Sequence, residues 1–235
     1  MSHSSVVDEE IAHFGALAAQ WWNANGPMRP LHMMNPPRAA WVVERVRKYK
    51  GDGATILDVG CGAGLLAEAL AKDGFVVTGL DAGAEVIEVA REHAKGQGLN
   101  LSYRLGTAEA LAAEGVKFPV ITALEIIEHV ADPLAFLISL KALLAPGGIL
   151  FLSTLNRTVK SYAVAKFGAE YVLKLLPVGT HDWQKFIKPE ELDRLCRQAG
   201  LKLTDTAGLS YMPRSQTFQV SRDLSVNYLA MARAD

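Results

Sequence analysis

The sequence predicts an α/β fold, a doubly wound and mostly parallel sheet with helices packed on both of its faces. Between residues 54 and 153, short apolar runs alternate with amphipathic segments of helical length, which is the pattern of βαβ units. The runs are apolar throughout rather than at every second position, as in parallel strands that are covered on both faces. Because parallel crossovers are right-handed, such units wind helices onto both sides of one sheet.

The elements can be assigned in order along the chain. A helix is predicted at residues 8–22, where acidic residues occupy the first turn and apolar residues recur at helical spacing. A proline-rich connection at 23–37 and a second helix at 38–49 follow. The alternating part then has strands at 54–59, 75–80, 101–105, 120–124 and 149–153, and helices at 65–72, 84–95 and 133–144.

The end of the chain departs from this alternation. Residues 157–188 form an insertion, and a helix is predicted at 189–199. Two apolar runs at 201–209 and 226–232 predict closing strands. With residues 211–223 as a loop between them, the two strands would form an antiparallel hairpin at the edge of the sheet.

Composition excludes several classes of protein. The 235 residues are 50% hydrophobic and carry a formal net charge of −1, so a strongly basic nucleic-acid binder is not expected. A membrane-spanning helix needs ~20 mostly apolar residues, and the best charge-free candidate, residues 142–156, is interrupted by Pro146 and two glycines. The N-terminus lacks the basic and apolar regions of a secretory signal. Two widely separated cysteines, Cys61 and Cys196, fit reduced thiols in the cytoplasm.

A glycine-rich turn follows the first predicted strand and is the most informative local feature. Gly60, Gly62 and Gly64 have the spacing G-x-G-x-G, not the G-x-G-x-x-G of dinucleotide-binding folds. Glycines at such a turn let the backbone approach a ligand closely at a helix N-terminus. Asp58 precedes the turn. A carboxylate at this place disfavours a pyrophosphate but suits a ligand that carries an ammonium and a sulfonium.

A second acidic residue, Asp81, ends the next predicted strand, 21 residues beyond Gly60. In nucleotide-binding α/β folds, an acidic residue at this place accepts hydrogen bonds from the two hydroxyls of a ribose. The glycine spacing, Asp58 and Asp81 together favour S-adenosylmethionine over NAD as the cofactor.

The glycine turn resembles motif I of class I methyltransferases, which have a Rossmann-like, seven-stranded sheet with an antiparallel last strand. This resemblance implies that Gly60 faces the methionyl part of the cofactor and Asp81 its ribose. It also implies that residues 106–109 flank the adenine and that Leu124, at the end of the fourth strand, lies close to the cofactor.

An acidic cluster follows the fourth predicted strand, at the edge of the sheet where α/β folds bind ligands. Glu125, Glu128 and His129 stand at positions i, i+3 and i+4, so a single helical turn would direct the three side chains to one place. We therefore expect Glu125 and His129 to be catalytic. Asp132, directly before Pro133, is instead expected to cap the next helix.

Two routes to methyl transfer onto a phenol oxygen are open to this cluster. An unperturbed phenol has a pKa of about 10, so its proton must be removed. His129 can act as the general base. Alternatively, Glu125, Glu128 and His129 hold a divalent cation such as Mg²⁺, which binds adjacent phenolic oxygens and lowers their pKa.

Three further segments resemble the ubiquinone biosynthesis O-methyltransferase family. They are PLHMMNPPR at 30–38, LSTLNR at 152–157, and GTHDW at 179–183 with KFI at 185–187. The resemblance covers most of the chain, from about residue 8 to residue 232. It implies methyl transfer to a 2-polyprenyl-6-hydroxyphenol and to a 3-demethylubiquinol. It also implies that Arg38 binds the carboxylate of the cofactor, which suits a forked guanidinium.

The insertion at residues 157–188 carries six basic and two acidic residues, a net charge of +4. Residues 161–176 within it predict a largely apolar and aromatic helix. Such a helix with basic flanks is typical of proteins that lie on anionic membranes, whereas the alternative is an ordinary buried helix. We expect a lid that contacts the prenyl chain and the membrane, which would make the protein peripheral on the inner face of the inner membrane.

These assignments predict four regions. An N-terminal helical cap is expected at 1–50, the cofactor-binding core at 51–156, the lid-like insertion at 157–188, and the last helix and closing strands of the same domain at 189–235.

Three alternative functions remain open on the sequence. One is methylation of another small phenol, and a second is an NAD(P)-dependent oxidoreductase on a Rossmann sheet. The third is a cofactor-binding, non-catalytic member of a quinone-biosynthesis complex. The glycine spacing and Asp58 argue against the oxidoreductase.

Overall fold

One sheet of eight strands organises the part of the chain that the computed structural model describes, residues 6–163 and 183–234. The strands are β1 (Thr55–Val59), β2 (Val76–Asp81), β3 (Leu101–Leu105), β4 (Phe118–Leu124), β5 (Leu144–Leu155), β6 (Leu201–Met212), β7 (Thr217–Ser221) and β8 (Asn227–Ala234). Their order in the sheet is β3-β2-β1-β4-β5-β8-β6-β7. β1 to β5 are parallel and β8 is antiparallel to β5, which confirms the predicted doubly wound, mostly parallel fold.

Helices connect the strands and cover both faces of the sheet. They are α1 (Asp8–Leu17), α2 (Arg29–Lys50), α3 (Leu65–Lys72), α4 (Ala84–Ala94), α5 (Ala108–Ala113), α6 (Pro133–Leu143), α7 (Val159–Ala163) and α8 (Pro189–Gln198).

The strand order reverses between β1 and β4. β1 pairs in parallel with β2 on one side and with β4 on the other. The connections that leave β1 and β4 therefore diverge to opposite faces, and a crevice opens at the carboxyl ends of these two strands. The glycine turn follows β1 and the acidic cluster follows β4, so the topology brings both to this crevice.

The prediction of a closing hairpin at the sheet edge is wrong. β6 and β8 do pair antiparallel, but β8 lies inside the sheet between β5 and β6. The predicted loop at 211–223 contains β7, which pairs with β6 and forms the edge. Tyr211 and Phe218 are cross-strand partners with ring centroids 5.3 Å apart, and such aromatic pairs stabilise antiparallel strands. The sheet thus has one strand more than the expected seven.

α2 begins at Arg29, much earlier than predicted, and its interior includes Pro36 and Pro37. A proline in a helix interior costs about 3 kcal/mol because a backbone hydrogen bond is lost. Tertiary contacts offset this cost, since the Asn35 side chain donates to the Leu65 carbonyl at 2.8 Å and the rest of α2 packs on the sheet.

Side-chain caps fix two helix starts at the crevice. Asp132 Oδ1 accepts the N–H groups of Leu134 and Ala135 at 2.9 and 3.0 Å, which confirms the predicted cap of α6. Thr107 Oγ1 accepts the Ala110 N–H at 3.2 Å and starts α5. The sequence analysis did not predict α5, because six residues are too few to display helical periodicity.

The strands bury side chains on both faces of the sheet. Ile56 and Leu57 are neighbours in β1 and both are fully buried, yet they belong to opposite apolar layers. One layer lies beneath α2 and α3, and the other beneath α6 and α8. Two-sided burial explains much of the high apolar fraction of the sequence.

The N-terminal segment is anchored to the core by two tryptophans. α1 itself contributes no buried residue. After it, Trp21 packs against Ala63 in the glycine turn. The Trp22 indole donates to the Ala63 carbonyl at 3.0 Å and stacks on His93, with ring centroids 3.4 Å apart and planes 6° apart. These contacts hold the N-terminal segment over the crevice.

The two described ends of the insertion contact each other. Trp183 Nε1 donates to the Thr158 carbonyl at 3.1 Å, and the Trp183 ring meets Tyr162 edge-on at 5.6 Å. The predicted helix at 161–176 lies outside the described residues, apart from its first three positions in α7. Among the described helices, none has both the length and the apolarity to cross a bilayer.

We predict that Trp22→Ala lowers the free energy of unfolding by roughly 2–3 kcal/mol, because the stacking and the hydrogen bond are both lost. Trp22→Phe keeps a ring on His93 and should cost only about 1 kcal/mol. Urea denaturation followed by circular dichroism measures both values. Wild-type stability in both variants would contradict this anchoring role.

Candidate active site

Positive backbone angles shape the glycine turn between β1 and α3. Gly60, Gly62 and Gly64 have φ values of 70°, 52° and 94°, a region that side-chain-bearing residues rarely adopt. A Cβ atom at Gly60 would overlap Ile126, and one at Gly62 would overlap the Trp21 indole. The turn thus combines left-handed backbone with close packing, so both requirements select glycine.

Asp81, at the end of β2, fixes the position of this turn. Its Oδ2 accepts the Gly62 N–H at 2.8 Å, and its Oδ1 accepts the Gly83 N–H at 2.9 Å. Burial raises the pKa of Asp81, and the backbone N–H groups oppose that rise. Each carboxylate oxygen can accept a second hydrogen bond, so Asp81 can serve the turn and a ligand together.

Asp58 places a buried carboxylate beneath the turn. Its Oδ1 accepts the Thr122 hydroxyl from the neighbouring β4 at 2.6 Å, whereas its buried Oδ2 has no hydrogen-bond partner among the described residues. Burial raises the pKa of Asp58 to about 7, against the opposing effects of Thr122 and the Arg38 charge. A buried oxygen without a partner is costly in a folded protein. We take it as the acceptor for a ligand. Sequence reasoning missed Thr122, which lies within an apolar strand and gives no separate signal.

Arg38 brings a guanidinium to the same region from α2. Its side chain is 5% exposed, and its Nε donates to Asn35 Oδ1 at 3.1 Å. Burial lowers the pKa of Arg38, while the charges of Glu125 and Asp58 raise it. A buried cation beside a buried carboxylate forms an environment suited to a zwitterion.

One cavity joins the predicted cofactor residues. Arg38, Gly60, Asp81 and Leu124 all line it, as does the stretch 106–109. The expected catalytic residues Glu125 and His129 also line this cavity, and the N-terminal segment covers it with Ile11, Phe14 and Trp21. The structure therefore brings together residues that are far apart in the sequence.

Glu125 is held tightly against the sheet. It has a φ of 54°, which for a residue other than glycine stores strain and needs support from its surroundings. Its Oε1 accepts the Ser153 hydroxyl at 2.6 Å, and Asn227 Nδ2 lies 3.1 Å from both carboxylate oxygens. Ser153 and Asn227 are further residues that sequence reasoning missed, because they lie on β5 and β8.

The expected metal triad is not assembled. Residues 125–132 form turns and bends instead of a helix, so the spacing of i, i+3 and i+4 does not align the side chains. Glu128 is 4% exposed and lines a neighbouring pocket with Arg157 and Phe186. Burial and the Glu125 charge raise its pKa well above the usual range. Within residues 6–163 and 183–234, no group of three or more His, Cys, Asp or Glu is arranged to hold a metal ion.

His129 takes part in a contact that sequence reasoning missed. Its Nδ1 lies 3.0 Å from Glu10 Oε2, and its ring meets Phe14 edge-on with centroids 5.5 Å apart. Burial lowers the pKa of His129, and the charge of Glu10 opposes this. From the sequence, Glu10 was only an acidic residue in the first turn of a helix, and nothing there indicated a partner 119 positions away.

We predict that Asp58→Asn leaves the ligand-free protein at least as stable as wild type at pH 8. The folded-state pKa of about 7 lies above the ordinary 3.8, so folding takes up a proton between these values. Wild-type stability therefore falls as the pH rises through this window, and the variant lacks that loss. Thermal unfolding at pH 5 and pH 8 measures the difference.

The same variant should bind S-adenosylhomocysteine about 10- to 100-fold more weakly, since a hydrogen bond between charged groups contributes ~1.5–3 kcal/mol. Isothermal titration calorimetry gives both affinities. Asp52→Asn is the control: its ion pair with Arg47 is exposed, so the variant should lower the stability by at most about 1 kcal/mol and leave the affinity unchanged. Undiminished affinity in Asp58→Asn would remove Asp58 from the ligand site.

Comparison with solved structures concerns the fold. A magnesium protoporphyrin IX methyltransferase from Synechocystis with bound SAM has a TM-score of 0.66 at 15% identity, covering 99% of this chain and 100% of that one. A putative methyltransferase from Haloferax volcanii, solved with an activator protein, has a TM-score of 0.63 at 19% identity, covering 94% and 97%.

Comparison of sequences is more specific. The family model of the methyltransferase domain matches residues 34–206. A ubiquinone biosynthesis O-methyltransferase from Dinoroseobacter shibae is 49% identical, covering 97% of this chain and 96% of the relative. Proteins of the same name from Parvibaculum lavamentivorans and Coxiella burnetii are 47% and 46% identical, each over 98% of this chain and 95% and 97% of their own length. With such identity over nearly its full length, the chain belongs to the ubiquinone biosynthesis O-methyltransferase family.

Proposed function

We propose that this protein is an S-adenosylmethionine-dependent O-methyltransferase that acts on hydroxyls of polyprenylated phenols and catechols in ubiquinone biosynthesis. The intermediates are a 2-polyprenyl-6-hydroxyphenol and a 3-demethylubiquinol. The names of the relatives support the pathway. The observation that carries the reaction class is the cavity that joins Arg38, Asp58 and Asp81 to His129. A nicotinamide-dependent reaction has no comparable support.

The donor set of the cavity fits S-adenosylmethionine. The unpartnered Oδ2 of Asp58 suits an ammonium, and the Arg38 guanidinium suits a carboxylate. Asp81 has acceptor capacity left for ribose hydroxyls. The stretch 106–109 and Leu124 line the same space. These residues would hold the cofactor with a charged side chain opposite its ammonium and another opposite its carboxylate.

His129 is the proposed general base. When bound, S-adenosylmethionine would supply its sulfonium methyl group: the phenol oxygen would attack the methyl carbon as the carbon–sulfur bond breaks, and S-adenosylhomocysteine would leave. His129 accepts the phenol proton as the oxygen–carbon bond forms. Burial lowers the pKa of the imidazole, which keeps it in the neutral form that can accept this proton. Ile11 and Phe14 give the cavity an apolar wall on the side of His129.

Glu125 is proposed to support the reaction electrostatically. Ser153 and Asn227 orient its carboxylate through hydrogen bonds. The negative charge of this carboxylate raises the pKa of Arg38 and so stabilises the charged guanidinium. The arrangement of Glu125, Glu128 and His129 does not fit Mg²⁺, so no step is assigned to a metal.

The lid and its membrane contact belong to the same proposal. Residues 157–188 carry a net charge of +4, and a polyprenyl substrate is dissolved in the bilayer. A basic, aromatic insertion beside the active site would let a protein at the inner face of the inner membrane reach that substrate. A quinone-biosynthesis complex is the proposed protein partner.

An assay with a short-chain prenyl catechol tests the reaction. We expect methylation by wild type, and a loss in kcat of about 100-fold in His129→Gln, because general base catalysis contributes roughly 10²–10⁴-fold. The affinity for S-adenosylhomocysteine should change less than threefold. Wild-type kcat in His129→Gln would contradict the base assignment.

The same assay with EDTA tests the metal. We expect EDTA to leave the methylation rate unchanged, because Glu125, Glu128 and His129 are not arranged to hold a metal ion. A rate that EDTA abolishes and Mg²⁺ restores would mean that residues 125–132 rearrange to build the triad.

Flotation with liposomes tests the membrane contact. We expect binding to vesicles with anionic lipid and little to neutral ones, and weaker binding of Lys166→Glu/Lys174→Glu, because each basic residue near the surface contributes about 1 kcal/mol. The affinity of this variant for S-adenosylhomocysteine should equal that of wild type. Equal, negligible binding to both vesicle types would contradict the proposal.

A further inference from the structure

Glu10 connects three parts of the chain that are distant in sequence. It lies in the first turn of α1, with its side chain partly buried at the wall of the cavity. Its Oε2 is 3.0 Å from His129 Nδ1, and its Oε1 is 3.6 Å from Lys185 Nζ. The two oxygens of one carboxylate therefore contact the loop after β4 and the end of the insertion.

This contact favours one tautomer of the imidazole. An ionised carboxylate only accepts hydrogen bonds, so Nδ1 must carry the hydrogen that it donates to Glu10. In the neutral ring, the lone pair then resides on Nε2. Phe14 meets the ring edge-on and Lys185 fixes the second carboxylate oxygen, so both ring and carboxylate have defined orientations.

We propose that Glu10 is a positioning residue that holds His129 as the Nδ1–H tautomer with Nε2 as the proton acceptor. The proposal rests on the proposed function, because it assigns a partner to the general base of methyl transfer. A carboxylate that orients a catalytic imidazole in this way acts through hydrogen-bond geometry and does not touch the substrate.

The location of Glu10 links this positioning to the closure of the cavity. α1 has no buried residue, and Ile11 and Phe14 from the same helix line the cavity wall. The carboxylate reaches His129 only when α1 lies against the loop after β4. The position of α1 that brings Glu10 to His129 is therefore also the position in which Ile11 and Phe14 line the cavity.

A purely structural role for Glu10 makes a different prediction. If the contact only ties α1 to the loop, an amide of the same shape serves equally well, since it also hydrogen-bonds to an imidazole. If the contact sets the tautomer, the amide is harmful. Lys185, which only donates, favours the amide oxygen on its own side, so the NH₂ group faces Nδ1, donates to it and places the ring hydrogen on Nε2.

The kinetic test compares Glu10→Gln and Glu10→Asp with Glu9→Gln, a neighbouring exposed position on α1, as the matched control. We expect Glu10→Gln to lower kcat about 10- to 100-fold with KM and the Kd of S-adenosylhomocysteine within threefold. Glu10→Asp should recover part of the rate, and Glu9→Gln should equal wild type. Glu10→Gln should cause no further loss in a His129→Gln background.

Spectroscopy provides a readout that does not depend on turnover. Long-range ¹H–¹⁵N spectra of the imidazoles, with His129→Gln for assignment, should report the Nδ1–H tautomer in wild type and its loss in Glu10→Gln. Wild-type kcat in Glu10→Gln, or an unchanged tautomer, would overturn the proposal. An absence of methylation by wild type would instead contradict the proposed function, and the tautomer result would still test the Glu10 contact.

Discussion

The hydrogen bonds of Asp81 to the backbone set the geometry on which the candidate site depends. One carboxylate oxygen accepts the N–H of Gly62 and the other that of Gly83, so the turn after β1 and the turn after β2 are joined beside the crevice. The glycine turn is thereby held in its left-handed conformation, against which Trp21 and the N-terminal segment pack. The cavity wall therefore depends on one side chain at the end of β2, which orders its own turn through Gly83 and the glycine turn through Gly62.

The charged groups beneath this turn are more costly to the free protein than apolar residues would be. Among the described residues, Asp58 Oδ2 has no hydrogen-bond partner. Burial raises the pKa of Asp58 and lowers that of Arg38, which shows that burial disfavours the charged form of both groups. Stability alone would favour neutral residues of the same size. A zwitterionic ligand that pairs with these groups offsets their burial, which is the stability–function trade-off common at binding sites. The apolar core thus stabilises the fold, and the buried charges of the site lower the stability of the ligand-free protein.

The sequence predicted features that depend on local chemistry. The alternation of strands and helices, the cap at Asp132 and the carboxylate at the end of β2 all follow from residue types at short spacing. Features that depend on tertiary contacts were not predicted. β7 forms because Phe218 packs on the neighbouring strand, and the acidic cluster is not helical because Glu125 adopts a positive φ. Glu10 reaches His129 only through the fold. A spacing of i, i+3 and i+4 carries information about side-chain direction only where the backbone is helical.

We infer that one cavity binds the ammonium, carboxylate and ribose hydroxyls of S-adenosylmethionine through Asp58, Arg38 and Asp81. A crystal structure of the complex with S-adenosylhomocysteine is the decisive test. We predict the ligand ammonium about 3 Å from Asp58 Oδ2, its carboxylate on Arg38, and both ribose hydroxyls on the Asp81 carboxylate. A bound ligand whose ribose does not contact Asp81, or whose ammonium pairs away from Asp58, would contradict it.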